Sequence, residues 1–145
     1  MEKNSKIYVA GHTGLVGSAV MRKLQEEGYE NVVTRTSDEL DLTRQEKVEE
    51  FFSKEKPEYV INCAAKVGGF LANKTYPADF IYINIMIATN IIHSSYKNDV
   101  KKLINLGSTC IYPKLAEQPL KEEYLLTSKL ETTNEAYAIA KISAI

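Results

Sequence analysis

The 145 residues, 44% hydrophobic and 26% charged, have the make-up of one globular domain. Eighteen basic against nineteen acidic side chains leave a net charge of −1, which excludes the strongly basic face of a nucleic-acid or anionic-membrane binder. No apolar run approaches the ~20 residues of a membrane span, the start MEKNSK lacks a signal-peptide core, and two cysteines make no disulfide framework, so the expected setting is the cytoplasm.

In chain order, KIYVA (6–10) reads as a short apolar strand, followed by a glycine loop and the helical pattern LVGSAVMRKLQEEG, closed by Gly28. NVVTR (31–35) is a second strand. Thr43 and Glu46 have the spacing of a capping box opening the helix RQEKVEEFFSKE (44–55). After Pro57, EYVINCAA (58–65) is a third strand. Pro77 suits the first turn of a long helix to about Asn98, with Phe80, Ile83, Ile87 and Ile91 on its apolar side. KKLINLG (101–107) is a fourth strand, an irregular stretch runs to about Glu131, and Thr132 with Glu135 forms a second capping box before the last helix. Strand and helix alternate, which predicts an α/β fold: a Rossmann-type, doubly wound parallel sheet of about four strands with flanking helices.

The loop VAGHTGLVGSA spaces Gly11, Gly14 and Gly17 by three, between strand and helix. Glycines permit a tight turn and close approach to a pyrophosphate, and the helix N-terminus presents unpaired N–H groups and a positive dipole end. Such a spacing arises by chance roughly 0.02 times in a chain of this glycine content, so the pattern carries information. It resembles the extended branch of the short-chain dehydrogenase/reductase superfamily.

NAD binders place a carboxylate about 20 residues past the glycines for the ribose 2′-hydroxyl. Here that place holds Arg35, whose guanidinium suits a 2′-phosphate and favours NADP(H). Two alternatives stay open: a merely solvated Arg35, and Asp38 serving a 2′-hydroxyl. Asp41 and Leu42 are placed to line an adenine pocket.

With nine tyrosines and fifteen lysines, a Tyr-x-x-x-Lys pair is expected roughly 0.9 times by chance, so Tyr137 and Lys141 gain meaning only from following the fourth strand and the glycine loop. In that context Tyr137 would exchange a proton with a carbonyl or alcohol, with the ammonium one turn away favouring its phenolate, and Lys141 would also bind the nicotinamide ribose. Ser108, just past the strand, completes the set as a carbonyl-orienting hydroxyl, at the edge where parallel sheets bind ligands. Cys110 stands in SerThrCysIleTyr, where a thiol can act as acid or base beside a ketone; an inert thiol is the alternative. Cys63 reads as a small buried hydrophobe.

AGHTGLVGSA, AAKVGGFLANKTYPADFIY, NDVKKL, LGSTCIYPKLAEQPL and ETTNEAYAIAK together resemble the GDP-L-fucose synthase family over nearly the whole chain. That resemblance implies 3,5-epimerisation and 4-reduction of GDP-4-keto-6-deoxy-D-mannose with NADP(H), and a homodimer without metal, nucleic acid or membrane. It implies Ser108, Cys110, Tyr137 and Lys141 as the catalytic set, Cys110 serving the epimerisations. The cofactor would lie against Gly11, His12, Thr13, Gly14, Leu15, Val16 and Gly17, then Arg35, Asp41, Leu42, Ala64, Ala65 and Lys66, with Tyr137 and Lys141 shared. Thr13 stands where bacterial members often carry an arginine for the 2′-phosphate, which argues for a weaker NADP preference. Thr109 replaces a frequent serine and Thr132 a common proline. Members of the family continue well past this length, into a nucleotide-sugar-binding C-terminal domain and a histidine that partners the cysteine; His12 and His93 do not match it. Residues 1–145 are therefore expected to form a truncated NADP-binding domain, inactive alone. The competing readings are another extended nucleotide-sugar epimerase or dehydratase, against which Arg35 and Cys110 argue, and a non-catalytic dinucleotide-binding fragment.

Overall fold

The computed structural model describes all 145 residues. The elements are β1 (Ile7–Ala10), α1 (Leu15–Glu26), β2 (Val32–Val33), α2 (Gln45–Glu55), β3 (Tyr59–Asn62), α3 (Phe70–Thr75), α4 (Pro77–Lys97), β4 (Lys102–Asn105) and α5 (Glu135–Ile142), with short 3-10 turns at Thr109–Ile111 and Glu122–Tyr124. They form two bodies, one of residues 1–65 and 86–106 and one of residues 66–85 and 107–145. No helix is long and apolar enough to cross a membrane.

The first body is a four-stranded parallel sheet in the order β2-β1-β3-β4. β1 is central, and its four residues IYVA are all buried, as a parallel strand covered on both faces requires. Alternation sends its side chains to opposite faces. Ile7 and Val9 pack with Leu24, Val20 and Met21 of α1. Tyr8 instead meets the rings of Phe51 and Phe52 of α2, at centroid distances of 4.6 and 5.9 Å. Helices therefore cover both faces, and the sheet is doubly wound as expected. Register aligns the carboxyl ends: Ala10 lies opposite Asn62, and Asn62 opposite Asn105. Because the chain passes from β1 to β2 on one side and to β3 on the other, the strand order reverses at β1/β3, the place where open α/β sheets bind ligands.

α1 stops where expected. Gly28 takes a left-handed φ of 73° and donates its N–H to the Gln25 carbonyl at 3.0 Å. Pro77 does open α4. Both capping boxes fail. Thr43 gives its N–H and hydroxyl to the Asp41 carboxylate at 2.9 and 2.7 Å, so α2 begins after Arg44 without a side-chain cap. Glu131 likewise receives Thr133 N–H and hydroxyl, and α5 begins after Asn134, also uncapped by a side chain. Asp41 accepts the Thr43 N–H that the box would give to Glu46, and both helices start later than the boxes place them, after Arg44 and after Asn134. β2 is also shorter than its sequence pattern: it pairs with β1 only at Val32 and Val33.

The second body is built around Phe80, Ile111, Ala138 and Ala140, all buried. Phe80 meets the Tyr137 ring edge-on at 6.4 Å. Gly68 is pressed against this group, since a Cβ there would lie 3.0 Å from both Ala72 Cβ and Phe80 Cζ.

Burial of Tyr8, which is 1% exposed, pushes its phenol well above the ordinary value, with the Arg35 guanidinium a smaller opposing influence. An unfolded tyrosine loses its proton near pH 10 while the folded Tyr8 keeps it, so the folded state binds more protons there and stability falls as pH rises. We expect the unfolding free energy to drop above about pH 10, by up to about 1.4 kcal/mol per pH unit for this group. Tyr8→Phe should flatten that slope, which urea melts at two alkaline pH values would read.

Candidate functional site

The loop after β1 is shaped by its glycines. Gly11 sits at φ 73°, and a Cβ there would lie 2.7 Å from the Ala64 nitrogen and 2.8 Å from the Cys63 carbonyl carbon. A Cβ on Gly17 would lie 2.1 Å from the Gly11 oxygen. The first turn of α1 thus rests directly on the loop backbone, and the loop on the exit of β3. α1 starts from extended backbone at Gly14, with no side-chain cap and no acidic residue in its first turn. An uncapped helix N-terminus of this kind has N–H groups to spare and a positive end, which fits the pyrophosphate of a dinucleotide. His12 Nδ1 is buried in the same loop without a hydrogen-bond partner. Thr13, Leu15 and Val16 are exposed around it.

Polar side chains hold the neighbouring turns. Asn62, 2% exposed, accepts the Ala64 N–H at 3.1 Å and donates to Asn105 Oδ1 at 2.8 Å, fixing the chain as it leaves β3 towards Ala65. Asn90 of α4 donates to the Leu42 carbonyl at 2.9 Å. Asp41 is turned onto Thr43, whose hydroxyl and N–H hold its carboxyl below the usual range. Arg35 is not a loose strand end: Nη2 bonds Glu55 Oε1 at 2.7 Å, Nη1 bonds the Thr34 carbonyl at 2.7 Å, and the guanidinium lies 5.4 Å from the Phe51 ring centroid. Asp38 is exposed.

In the second body Ser108, Cys110, Tyr137 and Lys141 come together. The Tyr137 and Ser108 hydroxyls lie beside each other. Ser108 Oγ accepts the Cys110 N–H at 3.3 Å, closing the turn after β4. Asn134 Nδ2 donates to Cys110 Sγ at 3.1 Å. Lys141, one helical turn past Tyr137, is 9% exposed, with Nζ 5.9 Å from the Tyr137 ring centroid. Burial raises the Tyr137 phenol above its ordinary value; the Ser108 hydroxyl pulls the other way, and Cys110 adds to the rise. Burial, the largest influence, runs against the expected phenolate. Lys66 belongs to this body too. Asn84, 4% exposed, grips its backbone from both sides, accepting its N–H at 2.9 Å and donating to its carbonyl at 3.0 Å.

A model of the NAD dependent epimerase/dehydratase family matches residues 7–145. The chain belongs to this family. Among members of known activity it is similar to GDP-L-fucose synthase 1 of Arabidopsis thaliana, 65% identical over 144 residues, covering 99% of the chain and 45% of the relative. The GDP-L-fucose synthase of Escherichia coli K12 is 56% identical over 140 residues, covering 97% and 44%. The solved GDP-mannoheptose C4 reductase of Campylobacter jejuni with NADP bound superposes with a TM-score of 0.96 at 49% identity, covering 99% of this chain and 46% of that one. The chain thus spans less than half the length of the curated relatives it matches.

Family membership accords with the glycine cradle, whose geometry fits a dinucleotide of the NAD(P) type. Sequence reasoning overlooked four asparagines that hold the site's parts: Asn62, Asn84, Asn90 and Asn134. Asn62 and Asn84 had a legible signal, since each is an amide inside an apolar strand or helix and must find buried partners. Asn134 gave a misleading one, because an asparagine at a helix start ordinarily serves as a cap.

Proposed function

We propose that residues 1–145 form the cofactor-binding and reductase part of a GDP-L-fucose synthase, which epimerises GDP-4-keto-6-deoxy-D-mannose at C3 and C5 and reduces C4 with NADP(H). The observation that carries this reading is the joined cluster of Ser108, Tyr137 and Cys110 in a chain 65% identical to such an enzyme. When bound, the dinucleotide supplies hydride to C4. Tyr137 donates its hydroxyl proton to the C4 oxygen, Ser108 orients that oxygen, and Lys141 holds the ribose and compensates the charge left on the phenol. Cys110 takes a proton from carbon beside the ketone; the C–H electron pair moves into the carbonyl as an enolate, and a proton returned to the opposite face inverts the centre. Gly11–Gly17, Asp41, Leu42 and Ala64–Lys66 would hold the cofactor, and Arg35 would take its 2′-phosphate in place of Glu55. The nucleotide-sugar domain falls in the part of the relatives that these residues do not match. The enzyme is a cytoplasmic homodimer, pairing through the face of α4 that exposes Tyr82 and Tyr96.

Titration of this chain with NADPH and with NADH, followed by nucleotide fluorescence, tests the reading. NADPH should bind tighter, and Arg35→Ala should weaken NADPH about tenfold while leaving NADH nearly unchanged, the size of one lost charge-assisted contact. Equal affinity for both nucleotides in the parent would remove the NADP assignment.

A further inference from the structure

Resting on the role given to Cys110 above, we infer that Asn134 is a positioning residue for that thiol: its side-chain N–H aims the sulfur at the carbon it serves. Asn134 stands at the N-cap of α5, where an asparagine normally accepts an N–H of the first turn. It makes no such bond. Its amide nitrogen instead reaches 24 residues back along the chain to Cys110 Sγ, at 3.1 Å. Its amide oxygen is buried and has no partner. The side chain has thus given up a stabilising cap, and left an oxygen unsatisfied, for the sake of one hydrogen bond to sulfur. Departures from local rules of this kind gather at functional sites.

The chemistry gives that bond a purpose. A hydrogen bond from N–H to sulfur strengthens as the sulfur gains negative charge, because charge-assisted bonds are about twice as strong as neutral ones. The sulfur is also held from its backbone side, where the Cys110 N–H is bonded to Ser108 Oγ at 3.3 Å. One hydroxyl therefore touches both the loop that carries the thiol and the phenol of Tyr137, while Asn134 fixes the thiol itself. A base that must reach carbon on a bound sugar needs that constraint, since efficient proton transfer demands placement within hydrogen-bond reach.

Alkylation of Cys110 by iodoacetamide, followed by peptide mass spectrometry so that Cys63 serves as internal control, tests the inference on this chain, because the thiolate is the reacting form. Asn134→Ala should slow alkylation of Cys110 about tenfold at neutral pH and leave Cys63 unaltered. Asn134→Leu keeps roughly the size and carries neither a charge nor an N–H to donate; it should slow Cys110 as much as Asn134→Ala does, with the helix content of the parent. An unchanged or faster Cys110 in the Leu variant, the result expected of a side chain that only covers the thiol, would overturn the proposal. The readout uses neither sugar nor cofactor, so it stands apart from the GDP-sugar reading, which the nucleotide titration and substrate turnover decide.

Discussion

Gly17→Ala is expected to destabilise the chain by about 3 kcal/mol, the upper end for forcing a methyl group into a packed site. The new Cβ would stand 2.1 Å from the Gly11 oxygen and 2.8 Å from His12 Cα. Those are backbone atoms, and no rotamer change can move them away. Relief requires lifting α1 off the loop, which would also take its N–H groups away from the pyrophosphate. Loss of nucleotide binding should therefore accompany loss of stability. Gly11→Ala combines the same crowding against Ala64 with a left-handed φ of 73° and should be as damaging. The other glycines supply graded controls. At Gly28 φ is also 73° but nothing lies within 4 Å, so only the conformational cost of about 1 kcal/mol remains. At Gly107 neither constraint applies, and alanine should be neutral. Urea unfolding of the four variants reads the series. A Gly17→Ala protein within about 0.5 kcal/mol of the parent would mean that helix and loop are not in contact as described.

Tyr137→Phe and Cys110→Ala should separate two halves of the chemistry. The chain can be joined to the remaining length of the Escherichia coli relative, to which it is 56% identical over 140 residues. In that chimaera Tyr137→Phe is expected to cut NADPH oxidation by about 10³, within the range for loss of a general acid, because the phenol proton has no substitute at the C4 oxygen. Exchange of the sugar's C3 and C5 hydrogens with deuterated water should continue. Cys110→Ala should do the reverse, abolishing exchange while hydride still reaches the ketone. If Cys110→Ala left exchange intact, another group would be the base and the role given to Cys110 would be lost; a parent chimaera that reduced the ketone without any exchange would act as a plain C4 reductase, the activity named for the Campylobacter jejuni neighbour.

Much of the molecule was legible in its sequence. The four strands announce themselves as short apolar runs, and α2 and α4 as periodic patterns with Pro77 at the start of the latter. The Gly11-Gly14-Gly17 spacing marks the cradle because only glycine tolerates a backbone approach that leaves no room for Cβ. What misled was competition for polar groups. Thr43 and Thr132 have the spacing of caps, yet Asp41 takes the Thr43 N–H that Glu46 would accept, and α5 begins only after Asn134. Arg35 reads as a free cation, yet Glu55, twenty positions on, holds it. α3 was missed altogether: FLANKT is six residues long and too short for a periodic signal.

Sequence alone determined the kinds of element, their order and the residues able to do chemistry, since backbone propensity and hydrophobic period are set by each residue and its near neighbours. Tertiary structure decided which polar groups meet. Asn62 finds Asn105 across 43 positions and Asn134 finds Cys110 across 24. Such pairings arise because burial strips water from both groups at once, and each must then take whatever partner the fold has placed beside it.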